Sequence, residues 1–286
     1  MIAVARATRI EQVSAIVSRA GDPQPDRLPG AYGKLAPMQF IGSLIYTTFF
    51  FLWTFFYAIF FVIACCFLPF RHRFRLARLW GTVLLKMLKW CCRLDYRVEG
   101  AENIPPDNHI ALWKHSSSWE TVAMAVVFPR QVWVLKRELL WVPFVGWGIR
   151  QLHAIAIDRK SGHSAVGQVV EQGKQRIAEG DWIIIFPEGT RMLPGQTRRY
   201  GVSGTLLAAE TGRLIVPVAH NAGDFWPRRG LLKKPGTIRV VIGRPIAAAG
   251  RDVREINREV QEWIEATVAS LHGDGGGEAG LTQRPA

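Results

Sequence analysis

From Leu35 to Phe70 the chain carries no charged residue, and between Phe49 and Ala64 only Thr54 interrupts a run of apolar and aromatic side chains. A helix needs roughly 20 such residues to cross a bilayer. The stretch therefore predicts either one tilted spanning helix or a bent helix lying partly in one leaflet, because a helix without a polar face does not suit a soluble core. From Phe74 to Leu94 the pattern becomes periodic, with Leu76, Leu79, Trp80, Val83, Leu84, Met87, Leu88 and Cys91 on one stripe and Lys86, Lys89 and Arg93 interspersed. Such an amphipathic helix fits the bilayer interface, and a partner-helix face within the protein would read the same way.

From Asp95 short apolar runs alternate with helical patterns. Strands are predicted at Tyr96–Val98, His109–Trp113, Gln131–Leu135, Ala154–Ile157, Trp182–Phe186, Leu214–Val218 and Ile238–Ile242. Helices are predicted at Ser117–Val127, Ser161–Ala178, Ser203–Thr211 and Val253–Leu271. This order implies an α/β domain with a parallel or mixed sheet, in which ligands gather at the carboxyl ends of strands. The chain thus divides into a polar N-terminal segment (1–34), a membrane-associated helical segment (35–94), the α/β domain (95–272) and a Gly-rich tail (273–286), with the tail and most of the first segment expected to be disordered. A short helix is predicted near Ile10–Ser18, and nothing before Lys34 resembles a signal peptide.

Charge narrows the partners. Lys and Arg number 36 against 23 Asp and Glu, a formal charge of +13, so the surface suits a polyanion: nucleic acid or anionic lipid. The apolar segment decides for membrane. Arg71, His72, Arg73, Arg75 and Arg78 follow it directly, which places that end and the α/β domain on the cytoplasmic side of the inner membrane by the positive-inside rule. Cys65, Cys66, Cys91 and Cys92 form two adjacent pairs that fit neither a zinc site nor a disulfide framework, and are read as free thiols in a reducing setting.

Lys114-His115-Ser116-Ser117-Ser118-Trp119-Glu120 joins the second predicted strand to the first helix of the domain. The serines offer helix caps, and a carboxylate suits the positive end of a new helix. If the chain curls back at His115, Glu120 can hold one imidazole nitrogen and leave the other to take a proton from a hydroxyl; a cap beside a structural histidine would have the same letters. Phe186-Pro187-Glu188-Gly189-Thr190-Arg191 leaves Glu188 and Arg191 at a strand end, as a phosphate and hydroxyl site or as a turn salt bridge. Lys136 and Arg137 follow a third strand and precede Trp141, Phe144 and Trp147, which would meet acyl chains or membrane, and a fourth strand ends at Arg159. Gly201-Val202-Ser203-Gly204 lacks the spacing of a hydrolase nucleophile elbow and does not follow a strand directly.

In this order the motifs resemble the glycerolipid acyltransferases of the 1-acylglycerol-3-phosphate O-acyltransferase type, over about Asp95 to Ile246. The resemblance rests on Lys114–Glu120, Lys136–Leu139, Arg159, Phe186–Arg191 and Ile215-Val216-Pro217-Val218-Ala219. It implies that family's mixed sheet flanked by helices, and transfer of a fatty acyl group from a coenzyme A or acyl carrier protein thioester to the sn-2 hydroxyl of lysophosphatidate, yielding phosphatidate for phospholipid biosynthesis. His115 would be the general base and Glu120 its orienting acid, with no covalent intermediate. Lys136, Arg159, Glu188, Gly189, Thr190 and Arg191 would hold the glycerol phosphate. No metal or other cofactor is implied, and the partners are the phospholipid membrane, lysophosphatidate and the thioester, not nucleic acid. Another lyso-lipid acceptor, such as an ornithine-lipid precursor, fits the same motifs, and a polybasic lipid-binding protein without turnover fits the charge. Two positions depart from the family pattern. Glu120 stands where aspartate is usual, so the longer acid must fold back or its helix start later, and Gly201 stands where a lysine often follows Tyr200, with Arg198 and Arg199 beside it.

Overall fold

The computed structural model describes residues 32–158, 163–228 and 230–273. The predicted helix at Ile10–Ser18, Arg159 and the tail beyond Gly273 lie outside them. Residues up to Met38 form one unit, of which the start of helix α1 (Tyr32–Cys65), including Pro37, is described; Gln39 onward forms a second unit that contains everything below. Within α1, Pro37–Cys65 is long and apolar enough, by length and composition, to cross a membrane.

Helix α2 (Phe70–Cys92) leads into the α/β part, which is ordered β1 (Leu94–Glu99), β2 (Ile110–Trp113), α3 (Glu120–Val127), β3 (Gln131–Lys136), α4 (Val145–Gln151), β4 (Ile155–Ile157), α5 (His163–Ala178), β5 (Trp182–Ile185), α6 (Ser203–Thr211), β6 (Ile215–His220), α7 (Ala222–Phe225), β7 (Gly236–Ile242) and α8 (Val253–Gly273). The seven strands form one sheet in the order β1-β7-β6-β2-β5-β3-β4. Five run parallel from β6 to β4, while β7 lies antiparallel to β6 and takes β1 parallel to itself, so the sheet is mixed. Each predicted strand is present.

Because strand side chains alternate between faces, the central strands feed two cores. Ala111, Trp113, Trp182, Ile184, Val216 and Val218 pack with Tyr46 of α1, Leu84 and Leu88 of α2, and Val122 and Ala123 of α3. Ile110, Leu112, Ile183, Ile185 and Ile215 pack on the other face with Val169 and Ile177 of α5, Leu207 of α6, and Ile256, Val260 and Ile264 of α8. Most of the stripe read on α2 is therefore protein-facing, with Leu84 and Leu88 fully buried, while Leu79 is exposed. Gly81 makes this possible: a Cβ there would lie 3.1 Å from the Val122 carbonyl oxygen, so α2 and α3 approach at backbone distance.

α1 has two apolar faces with different surroundings. Ser43, Tyr46, Tyr57, Ala58 and Phe61 are buried against the domain, whereas Phe51, Leu52, Phe56, Phe60 and Ile63 are exposed. Contacts to the domain recur along its length: Ser43 Oγ accepts the Lys233 N–H, and Tyr57 and Phe61 cluster with Ala77 and Leu152.

Candidate active site

β2 delivers Lys114 and His115 to the carboxyl edge of the parallel strands. The main chain then curls: Lys114 N–H donates to Val218 O as the last rung of the ladder, and the Met192 N–H donates to His115 O at 2.7 Å. Helix α3 starts at Glu120 itself, three residues later than Ser117. The reason is local. Ser117 does not cap the helix; its hydroxyl accepts the Trp119 N–H and donates to Trp226 O at 2.6 Å, so Ser117–Trp119 stays a turn.

That later start lets the longer acid fold back. Glu120 Oε1 lies 2.9 Å from His115 Nδ1 and accepts the N–H groups of Ser116 and Ser117 at 2.9 and 2.8 Å. Glu120 is fully buried. Burial, the largest influence on its carboxyl, pushes the pKa up, but the His115 hydrogen bond, the neighbouring His220 and His115 rings and the Ser117 N–H outweigh it and hold the pKa below the ordinary value. With Nδ1 engaged by Glu120, Nε2 is the nitrogen left for a substrate hydroxyl. The ring stacks on Phe186, with centroids 4.2 Å apart and planes inclined at 20°.

His115 opens onto an apolar cavity of about 400 Å³. Its walls come from α1 (Tyr57, Phe61), α2 (Trp80), α3 (Met124, Ala125) and the β3–α4 region (Trp133, Ile149). Two cations belong to the same lining, Lys136 and Arg191. Lys136 is exposed, and the Arg191 Nε is a buried donor without a hydrogen-bond partner among the described residues. Arg137, by contrast, pairs with Asp158 at 3.0 Å on the surface.

Glu188 sits differently from its neighbours in the motif. It is 3 % exposed and turned inward, where Oε1 accepts the His115 N–H at 3.2 Å and meets Lys114 Nζ at 3.3 Å. Burial pushes its pKa up to about 7, against the opposing pull of Lys114 and of the N–H groups of Glu188 and His115. Gly189 adopts φ +67°, which turns the chain between inward Glu188 and Arg191 on the cavity wall, and Thr190 is half-buried in that turn.

Several residues near the base were not singled out by sequence reasoning. His220, at the end of β6, donates from Nε2 to Lys114 O at 2.9 Å and accepts the Ala222 N–H on Nδ1. Burial holds its pKa below the ordinary value, in keeping with this neutral tautomer. Glu265 on α8 and Tyr200 close the far side of Lys114. A second histidine at a strand end was visible in the sequence; the reach of α8 back to Lys114 left no local signal.

An acyltransferase family model matches residues 95–221. The chain is 41% identical over 208 residues to the 1-acyl-sn-glycerol-3-phosphate acyltransferase of Pseudomonas aeruginosa, covering 71% of this chain and 81% of that protein. It is 26% identical over 209 residues to the human 1-acyl-sn-glycerol-3-phosphate acyltransferase alpha, covering 71% and 74%. The crystal structure of the 1-acyl-sn-glycerophosphate acyltransferase from Thermotoga maritima superposes with a TM-score of 0.68 at 22% identity, over 82% of this chain and 97% of that one, a likeness of fold.

Proposed function

Since this chain belongs to the 1-acyl-sn-glycerol-3-phosphate acyltransferase family of enzymes, we propose that it transfers a fatty acyl group from an acyl thioester to the sn-2 hydroxyl of lysophosphatidate, giving phosphatidate, with His115 as general base. The observation that carries the reading is the convergence at one strand edge of a carboxylate-held imidazole, an apolar cavity and two cations on its lining. His115 Nε2 takes the hydroxyl proton as the oxygen attacks the thioester carbonyl carbon. Glu120 keeps the proton on Nδ1 and stabilises the imidazolium that forms. The tetrahedral intermediate collapses with cleavage of the carbon–sulfur bond, and His115 returns the proton to the departing thiolate. No covalent bond to the protein forms.

Arg191, whose buried Nε has no partner among the described residues, and Lys136 hold the phosphate. Arg159 is assigned to the same anion by its strand-end position in the sequence. The cavity, which holds apolar walls from α1 to α4, accommodates an acyl chain. The exposed face of α1 enters the lipid, while its opposite face stays docked on the domain along Ser43 to Phe61. That docking favours a helix lying in one leaflet, on the cytoplasmic side, over one that crosses.

The test is a panel of lyso-acceptors offered to the purified chain in detergent with coenzyme A and acyl carrier protein thioesters. Phosphatidate formed from lysophosphatidate supports the assignment; turnover confined to another acceptor, such as an ornithine-lipid precursor, would replace it. The more efficient thioester identifies the donor.

A further inference from the structure

We propose that Glu188, Lys114 and Glu265 form a positioning relay that fixes the His115 turn from behind, so that Glu188 serves the base and not the substrate. The inference rests on the reading of His115 as the general base, and it reassigns a residue that the resemblance places on the glycerol phosphate.

Glu188 is absent from the cavity lining that contains His115, Phe186 and Arg191. Its side chain is fully buried, and its Oε1 is shared by the His115 N–H and the Lys114 ammonium. Lys114 is 3 % exposed. Its ammonium reaches Glu265 Oε1 and Oε2 at 2.7 and 3.0 Å, Glu188 Oε1 at 3.3 Å and the Gln196 carbonyl at 3.4 Å. Tyr200 in turn donates its hydroxyl to Glu265 Oε1 at 2.7 Å. Glu265 belongs to α8, beyond the residues that the acyltransferase family model matches.

The geometry gives the relay a task. One loop after β5 clamps His115 three times, through the Phe186 ring on its imidazole, the Glu188 carboxylate on its main-chain N–H and the Met192 N–H on its carbonyl. Lys114 ties that loop to α8. A buried cation with two carboxylates has no cheap alternative arrangement, since moving one partner leaves a charge unpaired away from water. The His115 turn is thereby held at a fixed distance from Arg191, which lies three residues along the same loop. Proton transfer tolerates little displacement: about 1 Å is enough to cost on the order of 10²-fold in rate.

Steady-state kinetics on the full chain in detergent, with lysophosphatidate as acceptor, separate the two roles. Glu188→Ala is expected to lower kcat on the order of 10²-fold and to change the acceptor KM by no more than about threefold. Glu188→Gln, which keeps an oxygen to accept the His115 N–H, is expected to recover part of that loss. Glu265→Ala, on a side chain that is 24% exposed and so a gentler change to the fold, is expected to lower kcat about tenfold at constant KM. A raised acceptor KM with kcat retained, or a glutamine variant as impaired as the alanine one, would overturn the relay and return Glu188 to the substrate. The His115 imidazole NMR signals, assigned by their loss in His115→Ala, provide a reading independent of substrate. They are expected to shift in Glu265→Ala and Glu188→Gln; unmoved signals in both would overturn the relay. Failure of the chain to turn over lysophosphatidate would count against the proposed function alone, because the NMR comparison still decides the relay.

Discussion

Glu120→Gln isolates the charge of the orienting acid from its shape. The carboxylate Oε1 receives three donors, His115 Nδ1 and the main-chain N–H groups of Ser116 and Ser117, all within 2.9 Å. Glutamine retains an oxygen for the two buried N–H groups, so the turn survives. What it loses is the negative charge beside the imidazolium that forms during proton transfer. Removal of the acid's charge from a histidine partner costs up to about 10⁴-fold in kcat in the serine-protease triad, and the expected range here is about 10² to 10⁴. Glu120→Ala adds a structural loss: two buried N–H groups without acceptors, at about 1–3 kcal/mol each, or roughly 2–6 kcal/mol. The two variants should therefore share the loss of turnover but differ in thermal denaturation, with alanine lowering Tm further than glutamine, which loses only the contribution of the charge. The pH dependence has a defined sign. Because the folded state holds the Glu120 pKa below its ordinary 4.5, the carboxylate's contribution to stability is complete above 4.5 and disappears as pH falls through the lower folded value. The assays are initial rates of acyl transfer and differential scanning calorimetry. A Glu120→Gln enzyme with unchanged kcat would refute the dyad.

Other perturbations probe the remaining parts. Arg191→Ala is expected to raise the acceptor KM about 10- to 100-fold through loss of a charge-assisted phosphate contact of about 1.5–3 kcal/mol, read in steady-state kinetics. Ala125→Leu fills part of the 400 Å³ cavity and should shift the preferred donor to a shorter acyl chain, measured with a series of thioesters. Joint replacement of Phe51 and Phe56 by serine, on side chains 66% and 63% exposed, removes about 1.5–3 kcal/mol of burial per ring from a lipid-inserted face, and should release the protein from vesicles in a flotation assay without loss of helix.

The sheet was legible because its strands are buried on both faces and stand as short, uninterrupted apolar runs, as at Ile110–Trp113 and Trp182–Ile185. Their order in the sheet was not, since nothing local tells β7 to insert antiparallel between β6 and β1. Helix α4 escaped notice because Gly146 and Gly148 break its periodicity; Gly146 is required where the helix rides on the Leu139 and Leu140 carbonyls, within 2.6 Å of any added Cβ. At the site, His115 and Glu120 were readable as a pair, and the one-methylene difference of Glu120 found its answer in the start of α3. A motif that ends a strand suggests a projecting Glu188, and the structure turns it inward: the cation that holds it, Lys114, is itself held by Glu265, 151 positions away. Such a contact exists only once α8 has packed on the sheet.

The central claim is that His115 abstracts the proton from the acceptor hydroxyl. It is tested most directly by the initial rate of phosphatidate formation from lysophosphatidate and an acyl thioester, comparing the wild-type chain with a folded, membrane-attached His115→Ala protein. The expected result is phosphatidate from the wild type and a loss in the variant of at least about 10²-fold; comparable rates in the two proteins would contradict the account.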